Sequence, residues 1–512
     1  MLARKVVREK LEVAWYWVLF LARQPRLLIY HSAMTILFAA SEMDPLARTG
    51  GLGDVIEALP AALAERGHEV SVVLPCYRGL LDRADIAVRP TGVKIPVSVG
   101  QKQLEAEVLE CVAPNGVQVF LIRRDEYFDR GTLYGEEGRA YDDNAERFIF
   151  FSRAVVELAR RILPPPDIIH VNDWQTALIP ALVKERKLPF KTVLTIHNIA
   201  YQGAFWAYDF GLTRLPGDYF APGRGLEFFG GMNLLKGGIV MADAITTVSE
   251  RYAREIQTPE YGFGLDAVLR EHSGRLTGIL NGADYSVWNP ETDKSLPKKY
   301  SAADLSGKRD CRDTLIAELC LAPNPQGPVF AIVSRLAPQK GFDLLFPIID
   351  RLLADDVRLI ILGQGDAGYE RELMIASKRH SAHFAYRKEM DTRLSHLIEG
   401  GADITLIPSY YEPCGLTAMY GLKYGSLPIA RATGGLHEII QDFDPTSNTG
   451  NGFLFFEASA EAFWDAIVRA KKLFQNASDW RELMTRAMQC DYSWAKATPR
   501  YEALYQRLLG TR

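Results

Sequence analysis

Residues 404–440 read ITLIPSYYEPCGLTAMYGLKYGSLPIARATGGLHEII. An apolar run at 404–407 leads into Pro408-Ser409-Tyr410-Tyr411-Glu412-Pro413-Cys414-Gly415. A helical stretch, a second apolar run at 427–430 and Thr433-Gly434-Gly435 opening another helix follow. The pattern predicts strand, turn, helix, strand, turn, helix. In an open parallel sheet both turns lie at the carboxyl ends of their strands. Glu412 and the Thr433-Gly434-Gly435 turn are therefore expected on one crevice, ringed by free N–H groups of helix N-termini. A carboxylate held beside an anion site suits a substrate with both hydroxyls and phosphate, as a nucleotide sugar has. Taken alone, these prolines and glycines fit the ordinary punctuation of any α/β sheet equally well.

Upstream, residues 329–333 form an apolar strand ending in Ser334-Arg335-Leu336-Ala337-Pro338-Gln339-Lys340-Gly341. Arg335 and Lys340 flank that turn, where a planar fork and a point charge could together neutralise a leaving diphosphate; a solvated basic loop is the plainer reading. Residues 359–362 with Gly363-Gln364-Gly365-Asp366 predict one more strand-to-helix glycine turn, and 492–512 a helix with Trp494, Tyr501, Leu504, Tyr505 and Leu508 on one side.

The first half repeats the theme. Residues 35–40 predict a buried strand, followed by Ser41-Glu42-Met43, the turn Arg48-Thr49-Gly50-Gly51-Leu52-Gly53-Asp54, a helix to about Arg66 and a strand at 69–74. Such a βαβ unit cradles phosphate in outline, but it lacks the GxGxxG spacing, which disfavours a nicotinamide or flavin cofactor. Thr-Gly-Gly-Leu occurs twice, at 49–52 and 433–436, once in each half. Further strands are predicted at 168–171, ending in Asn172-Asp173-Trp174-Gln175, at 192–196, ending in His197-Asn198, and at 242–248. Polar residues at successive strand ends mark a catalytic edge, although a lone histidine is more often a hydrogen-bonded core residue. Residues 201–231, rich in aromatics and glycine without a period, are expected to be loops lining a sugar or acceptor groove.

At 512 residues the chain is too long for one core, and 48% hydrophobic with 24% charged residues indicates a soluble globular protein. The net charge of −4 gives no electrostatic case for nucleic acid. Six cysteines without CxxC spacing indicate neither zinc site nor disulfide framework, and point to a reducing cytosol. Residues 1–33 stand apart: six cations against two carboxylates bracket an apolar run at 13–22 that is too short for a transmembrane segment. They read as a dispensable extension, an added helix or a targeting peptide. Leu280-Asn281-Gly282-Ala283-Asp284 is turn chemistry and 289–306 is polar with proline, so a domain boundary is expected between Thr277 and Pro290.

These motifs, with Asp142-Asp143-Asn144-Ala145-Glu146-Arg147-Phe148, Tyr201-Gln202-Gly203 and Glu412-Pro413-Cys414-Gly415-Leu416, make the sequence from Met34 to about Leu508 resemble bacterial glycogen synthases and plant starch synthases. The resemblance implies an α/β fold of glycosyltransferase-B type, with two Rossmann-like doubly wound domains facing a central cleft. It implies an acceptor domain at 34–277, a linker at 278–292, a nucleotide-sugar domain at 293–490 and a helix at 491–512 returning to the first domain. It also implies retaining transfer of glucose from ADP-glucose to the non-reducing end of an α-1,4-glucan (glycogen or starch) without metal or cofactor, in the cytoplasm, or in a plastid if the source is a photosynthetic eukaryote. UDP-glucose as donor, or a glucan-binding homologue impaired in turnover, are the alternatives.

By resemblance the catalytic set is Asp173, His197, Arg335, Lys340 and Glu412. The substrate-lining set is Arg48, Gly50, Gly51, Asp54, Tyr134, Asn198, Gln202, Asn281, Tyr386, Cys414, Gly415, Leu416, Thr433, Gly434 and Gly435, with Tyr386 a candidate for packing against adenine. Arg335 and Lys340 fall on the phosphate-binding positions, helped by amides near Gly51 and Gly435, while Glu412 orients glucose hydroxyls and Asp173 the acceptor side. Three residues depart from the family pattern: Arg48 stands where the family has Lys, Tyr410 where it usually has Arg, and Ala418 where it usually has Gln.

Overall fold

In the computed structural model the described residues are 33–510, apart from Glu137 and Met390, and those from Thr35 onward belong to one compact unit. The extension expected at 1–33 thus lies, but for Ala33, outside the described residues.

Two large sheets organise the chain. Counting only their strands, the first sheet contains β1 (Thr35–Ala39), β2 (Glu69–Pro75), β3 (Arg89–Val99), β4 (Lys102–Val112), β5 (Gln118–Arg123), β6 (Ile168–Asn172), β7 (Lys191–Ile196), β8 (Ala244–Thr247) and β9 (Leu276–Gly278). Its order is β9-β8-β7-β6-β1-β2-β5-β4-β3. All pairings are parallel except β3 with β4 and β4 with β5. The second sheet contains β10 (Val329–Val333), β11 (Arg358–Leu362), β12 (Phe384–Arg387), β13 (Ile404–Ile407), β14 (Leu427–Arg431) and β15 (Phe453–Phe455), in the order β12-β11-β10-β13-β14-β15. It is parallel throughout.

The central strands TILFA, IIHVN, ITLI and RLIIL are continuous apolar or buried runs because helices cover both faces of a parallel sheet. Strand order reverses between β1 and β6 in the first sheet and between β10 and β13 in the second. Those reversals open a crevice at the carboxyl ends of the strands. Register then fixes the neighbours: Ala39 pairs with Val171 and Ala331 with Thr405. Ser41-Glu42 therefore emerges beside Asn172-Asp173, and Ser334-Arg335 beside the turn leading to Glu412.

The chain's last helix, Trp494–Leu509, packs on the first sheet's half. Glu502 accepts from Arg66 Nε and Nη2 at 2.7 Å each, and the Tyr505 hydroxyl lies 2.7 Å from His170 Nδ1. Among the described residues no helix is long and apolar enough to cross a membrane.

Three stretches differ from expectation. Residues 201–231 are not all loop: Ala204–Phe205, Glu227–Phe228 and Gly231–Asn233 form a small antiparallel sheet, whose two- and three-residue strands are too short for a period to register. The hairpin of β3 and β4 passed unread, although apolar residues alternate along it as Ile95-Val97-Val99 and Ala106-Val108. The polar stretch at 289–306 is pinned rather than free. Trp288 stacks between His396 and Tyr420, with ring centroids at 4.0 and 4.3 Å, and Asp293 accepts from the Tyr424 hydroxyl at 2.6 Å.

Candidate active site

At the second sheet's reversal, the turn after β10 and the turn after β13 are locked together by main chain. The Tyr410 amide donates to the Gln339 carbonyl at 2.8 Å, and Gln339 Nε2 to the Tyr411 carbonyl at 3.1 Å. Gly341, at φ 71°, lets the chain press against Pro408; a Cβ there would stand 2.0 Å from the Pro408 carbonyl oxygen. This clamp delivers Lys340 Nζ to 2.6 Å from Glu412 Oε2, the oxygen that also accepts from Ser409 Oγ at 3.0 Å. Glu412 Oε1 is left for another donor. Arg335 is exposed, its Nη1 within 3.5 Å of the Tyr201 hydroxyl across the crevice. Burial works against its charge, but the Tyr201 phenol and the fields of Glu412 and Glu42 outweigh it and hold the guanidinium above its ordinary pKa.

Facing these groups, Asp173 follows β6 with φ 53°, a left-handed conformation that a non-glycine residue holds only when its surroundings enforce it. Its carboxylate accepts the His197 amide at 2.8 Å and also caps the Asn198 amide, fixing the turn after β7. Desolvation nevertheless pushes the Asp173 carboxyl up to about 7. His197 is held by Asn172. Because Asn172 Nδ2 donates to the Ala39 carbonyl at 3.2 Å, its Oδ1 faces His197 Nε2, 3.0 Å away. Nε2 therefore carries the proton, Nδ1 keeps its lone pair, and burial lowers the imidazole pKa to about 3, so the ring is neutral.

The folded Asp173 carboxyl binds its proton more tightly than the unfolded one. The stability it contributes is greatest below pH 4 and is lost as pH rises through about 7. Asp173→Asn is expected to flatten the pH dependence of the melting temperature between pH 4 and 7; an unchanged profile would mean that this carboxyl ionises freely.

The two Thr-Gly-Gly turns do different work. At the first, Glu42 accepts from the Thr49 amide at 2.6 Å, the Thr49 hydroxyl at 2.7 Å, the Gly50 amide at 3.1 Å and the Tyr134 hydroxyl at 2.7 Å. The Gly51 and Leu52 amides come next, in the first turn of the helix Gly51–Glu65, where no internal acceptor exists. Arg48 is not a free cation: it pairs with Asp54 at 2.9 Å and Asp44 at 3.4 Å. Burial pushes the Asp54 carboxyl up to about 6 against the pull of Arg48.

At the second turn, the expected free amides are taken. Gly434 N–H donates to both oxygens of Glu255 at 3.1 and 3.0 Å, the Thr433 hydroxyl reaches Glu255 at 3.3 Å, and Gly435 N–H donates to the Glu412 carbonyl at 3.0 Å. A first-domain carboxylate thus fills the anion position, and the uncapped amides lie instead at Leu416 and Thr417, opening the helix Leu416–Lys423 after Gly415 at φ 97°. Gly51 and Leu416 meet across the crevice, 3.7 Å from a Cβ built on the glycine to Leu416 Cδ1.

Of the remaining expected residues, Asn198 reaches Gln339 at 3.5 Å across the crevice. Gln202 ties loops together, donating to the Ile199 and Phe263 carbonyls at 3.1 and 3.0 Å. Asn281 is buried with Oδ1 unpartnered, against the Cys414 thiol, whose pKa burial pushes up. Tyr386 is buried near the end of β12, its hydroxyl 3.2 Å from the carbonyl of Gly363, the glycine that packs against Ser334. Ala418 is fully buried, so no polar side chain replaces the usual Gln, and the Tyr410 carbonyl accepts from Arg431.

Glu255, Ser409 and Gln339 were missed as site residues, and Glu42 was quoted only within its motif. The acid three residues after Ser409 was a usable signal for that serine, whereas nothing in the sequence links Glu255 to Gly434. Through Gly434 and Gly435, Glu255 braces the main chain of Glu412. Glu255→Ala is expected to cost about 1–3 kcal/mol by stranding a buried amide, seen as a lower melting temperature and lower kcat/KM. Glu255→Gln, which keeps an acceptor oxygen, should lose less; equal losses would refute the bracing.

The chain matches the family model described as "Starch synthase catalytic domain" over residues 35–271 and that described as "Glycosyl transferases group 1" over 321–483. It is 46% identical to a glycogen synthase of Koribacter versatilis, covering 94% of this chain and 99% of that protein, and 44% identical to one of Myxococcus xanthus, covering 93% and 100%. Its structure is similar to the catalytic domain of starch synthase IV from Arabidopsis thaliana bound to ADP and acarbose, with TM-score 0.87, 34% identity and coverage of 94% of this chain and all of that one. A sucrose-phosphate synthase from Thermosynechococcus elongatus, at TM-score 0.60 and 17% identity, shares the fold.

Proposed function

We propose, from the premise that the chain belongs to the glycogen and starch synthase family, that it moves glucose from ADP-glucose to the non-reducing 4-hydroxyl of an α-1,4-glucan with retention, in the cytoplasm. It is a glycosyltransferase with glycogen synthase function. One observation carries the donor reading: Arg335 and the Lys340–Glu412 pair stand at the reversal of one sheet, with Asp173 and His197 at the reversal of the other.

Arg335 and Lys340 would bind the diphosphate and stabilise the charge that builds on it as the glycosidic bond breaks. The Leu416 and Thr417 amides, and those of Gly51 and Leu52, would serve the same oxygens. Glu412 Oε1, free of Lys340 and Ser409, would accept from a glucose hydroxyl. Among the described residues, the two carboxylates of the crevice have other work: Asp173 accepts from two amides, and Glu412 holds Lys340 and Ser409 through Oε2 while its Oε1 would accept from the sugar. The acceptor hydroxyl therefore attacks on the face that the diphosphate leaves, and its proton passes to the departing phosphate oxygen.

The test is ADP release from ADP-glucose in the presence of glycogen, run beside UDP release from UDP-glucose. Faster turnover of the uridine donor would overturn the donor assignment, and glucan binding without release from either would overturn the reaction.

A further inference from the structure

Three rings stand out of the small sheet with almost no protein over them: Phe229 is 90% exposed, Tyr208 88% and Trp206 77%. Open aromatic surface contributes nothing to folding and costs free energy in water. At Phe229 the backbone is unfavourable as well. The hairpin linking Glu227–Phe228 to Gly231–Asn233 turns through Phe229 and Gly230 with φ of 50° and 80°, a position where Asn or Gly is preferred and a bulky ring is strained. Neither burial nor local conformation accounts for phenylalanine there.

Two of these residues, Trp206 and Phe229, come to the same end of the small sheet. Phe205 pairs with Met232, so Trp206 falls level with Gly231, beside the Phe228–Gly231 hairpin end. The Phe228 and Phe229 rings touch, with centroids 4.6 Å apart. Phe228 Cζ lies 3.5 Å from a Cβ built on Gly264, and the preceding Phe263 repeats the strained Phe-Gly geometry at φ 49° and 84°. Phe263 meets the Tyr411 ring at 5.3 Å, one residue from Glu412. Rings therefore run from the transfer site out to the tip of the small sheet.

We propose that Phe229, Trp206 and Tyr208 form a docking track for a strand of α-linked glucose, remote from the transfer site, that holds the polymer while its end is extended. A pyranose has an apolar C–H face and a hydroxyl edge. Separate rings interleaved with Asp209, Glu227, Gly230 and Gly231 match that alternation, whereas a protein partner calls for a continuous apolar patch. This rests on the glucan-acceptor reading above.

Trp206→Ala and Phe229→Asn test it, the latter suiting the left-handed turn and so leaving the melting temperature unlowered. With two rings removed, the KM for glycogen should rise about tenfold, roughly 1.4 kcal/mol, while kcat and transfer to maltotriose stay unchanged. An unchanged KM for glycogen, or an equal fall with both acceptors, overturns the track. Mobility in a glycogen-containing native gel reads binding without turnover. Wild-type retardation that the double variant loses supports the track even if no donor is used, and equal mobility overturns it.

Discussion

Arg335→Ala should lower kcat by about 10²–10³, the scale seen when one preorganised donor to a developing anion is removed, without unfolding the protein. The side chain is exposed, and its bond to the Tyr201 hydroxyl is at the 3.5 Å limit. Substitution of such a group usually changes stability by no more than about 0.5 kcal/mol. Tyr201, Glu412 and Glu42 hold the guanidinium above its ordinary pKa, and an arginine is charged at neutral pH in any case. Arg335→Lys restores the charge but not the planar two-pronged donor, and should recover only part of the rate. Steady-state ADP release with a melting curve on the same preparation checks this. Full activity in Arg335→Ala would remove the guanidinium from the reaction.

How much of this was legible beforehand follows from where each signal resides. The βα turns at Asn172-Asp173, His197-Asn198, Arg335–Lys340 and Glu412 could be read from the chain, because each ends a continuous apolar strand and a parallel sheet sends all such ends to one edge. The facing of the two halves was foreshadowed by the repeated Thr-Gly-Gly-Leu, yet the repeats are not equivalent. Glu42, eight residues from Gly50, is local to the first turn, while Glu255, 179 residues from Gly434, caps the second. A glutamate in a short helix such as Glu250–Glu255 reads as a solvated side chain, and only the fold brings it to the other domain. The contacts that anchor Trp288 were hidden for a similar reason. Trp288 within a polar stretch gives no hint that His396 and Tyr420 will sandwich it.

Arg48 shows what a family pattern omits. Its charge is balanced by Asp54 and Asp44, so the guanidinium that stands where lysine is usual is held beside the Gly50-Gly51 turn instead of projecting alone. In the proposed reaction the cation that would meet phosphate from an exposed position is Arg335, and the one that would exchange partners during turnover is Lys340.

That exchange leads to the second large effect. Lys340 and Glu412 neutralise each other at 2.6 Å, both mostly shielded from solvent. In the proposed reaction an entering diphosphate would give the ammonium a second anion and the sugar hydroxyls would meet Glu412, so the pair would work as a unit. Lys340→Ala leaves Glu412 Oε2 with Ser409 Oγ as its donor at 3.0 Å, and Glu412→Ala leaves the ammonium without its carboxylate. Each should lower kcat by about 10²–10³. The double variant should lose far less than the product of the two, with a coupling of about 1–3 kcal/mol, because breaking the pair once has already misplaced both groups. Glu412→Gln should not rescue the rate: turning its amide nitrogen toward Lys340 sets donor against donor, and turning its oxygen there leaves Nε2 where an acceptor for the sugar is needed. Single-turnover rates for the four proteins of the cycle decide it. Strictly multiplicative losses would mean that the two side chains act separately on the bound donor.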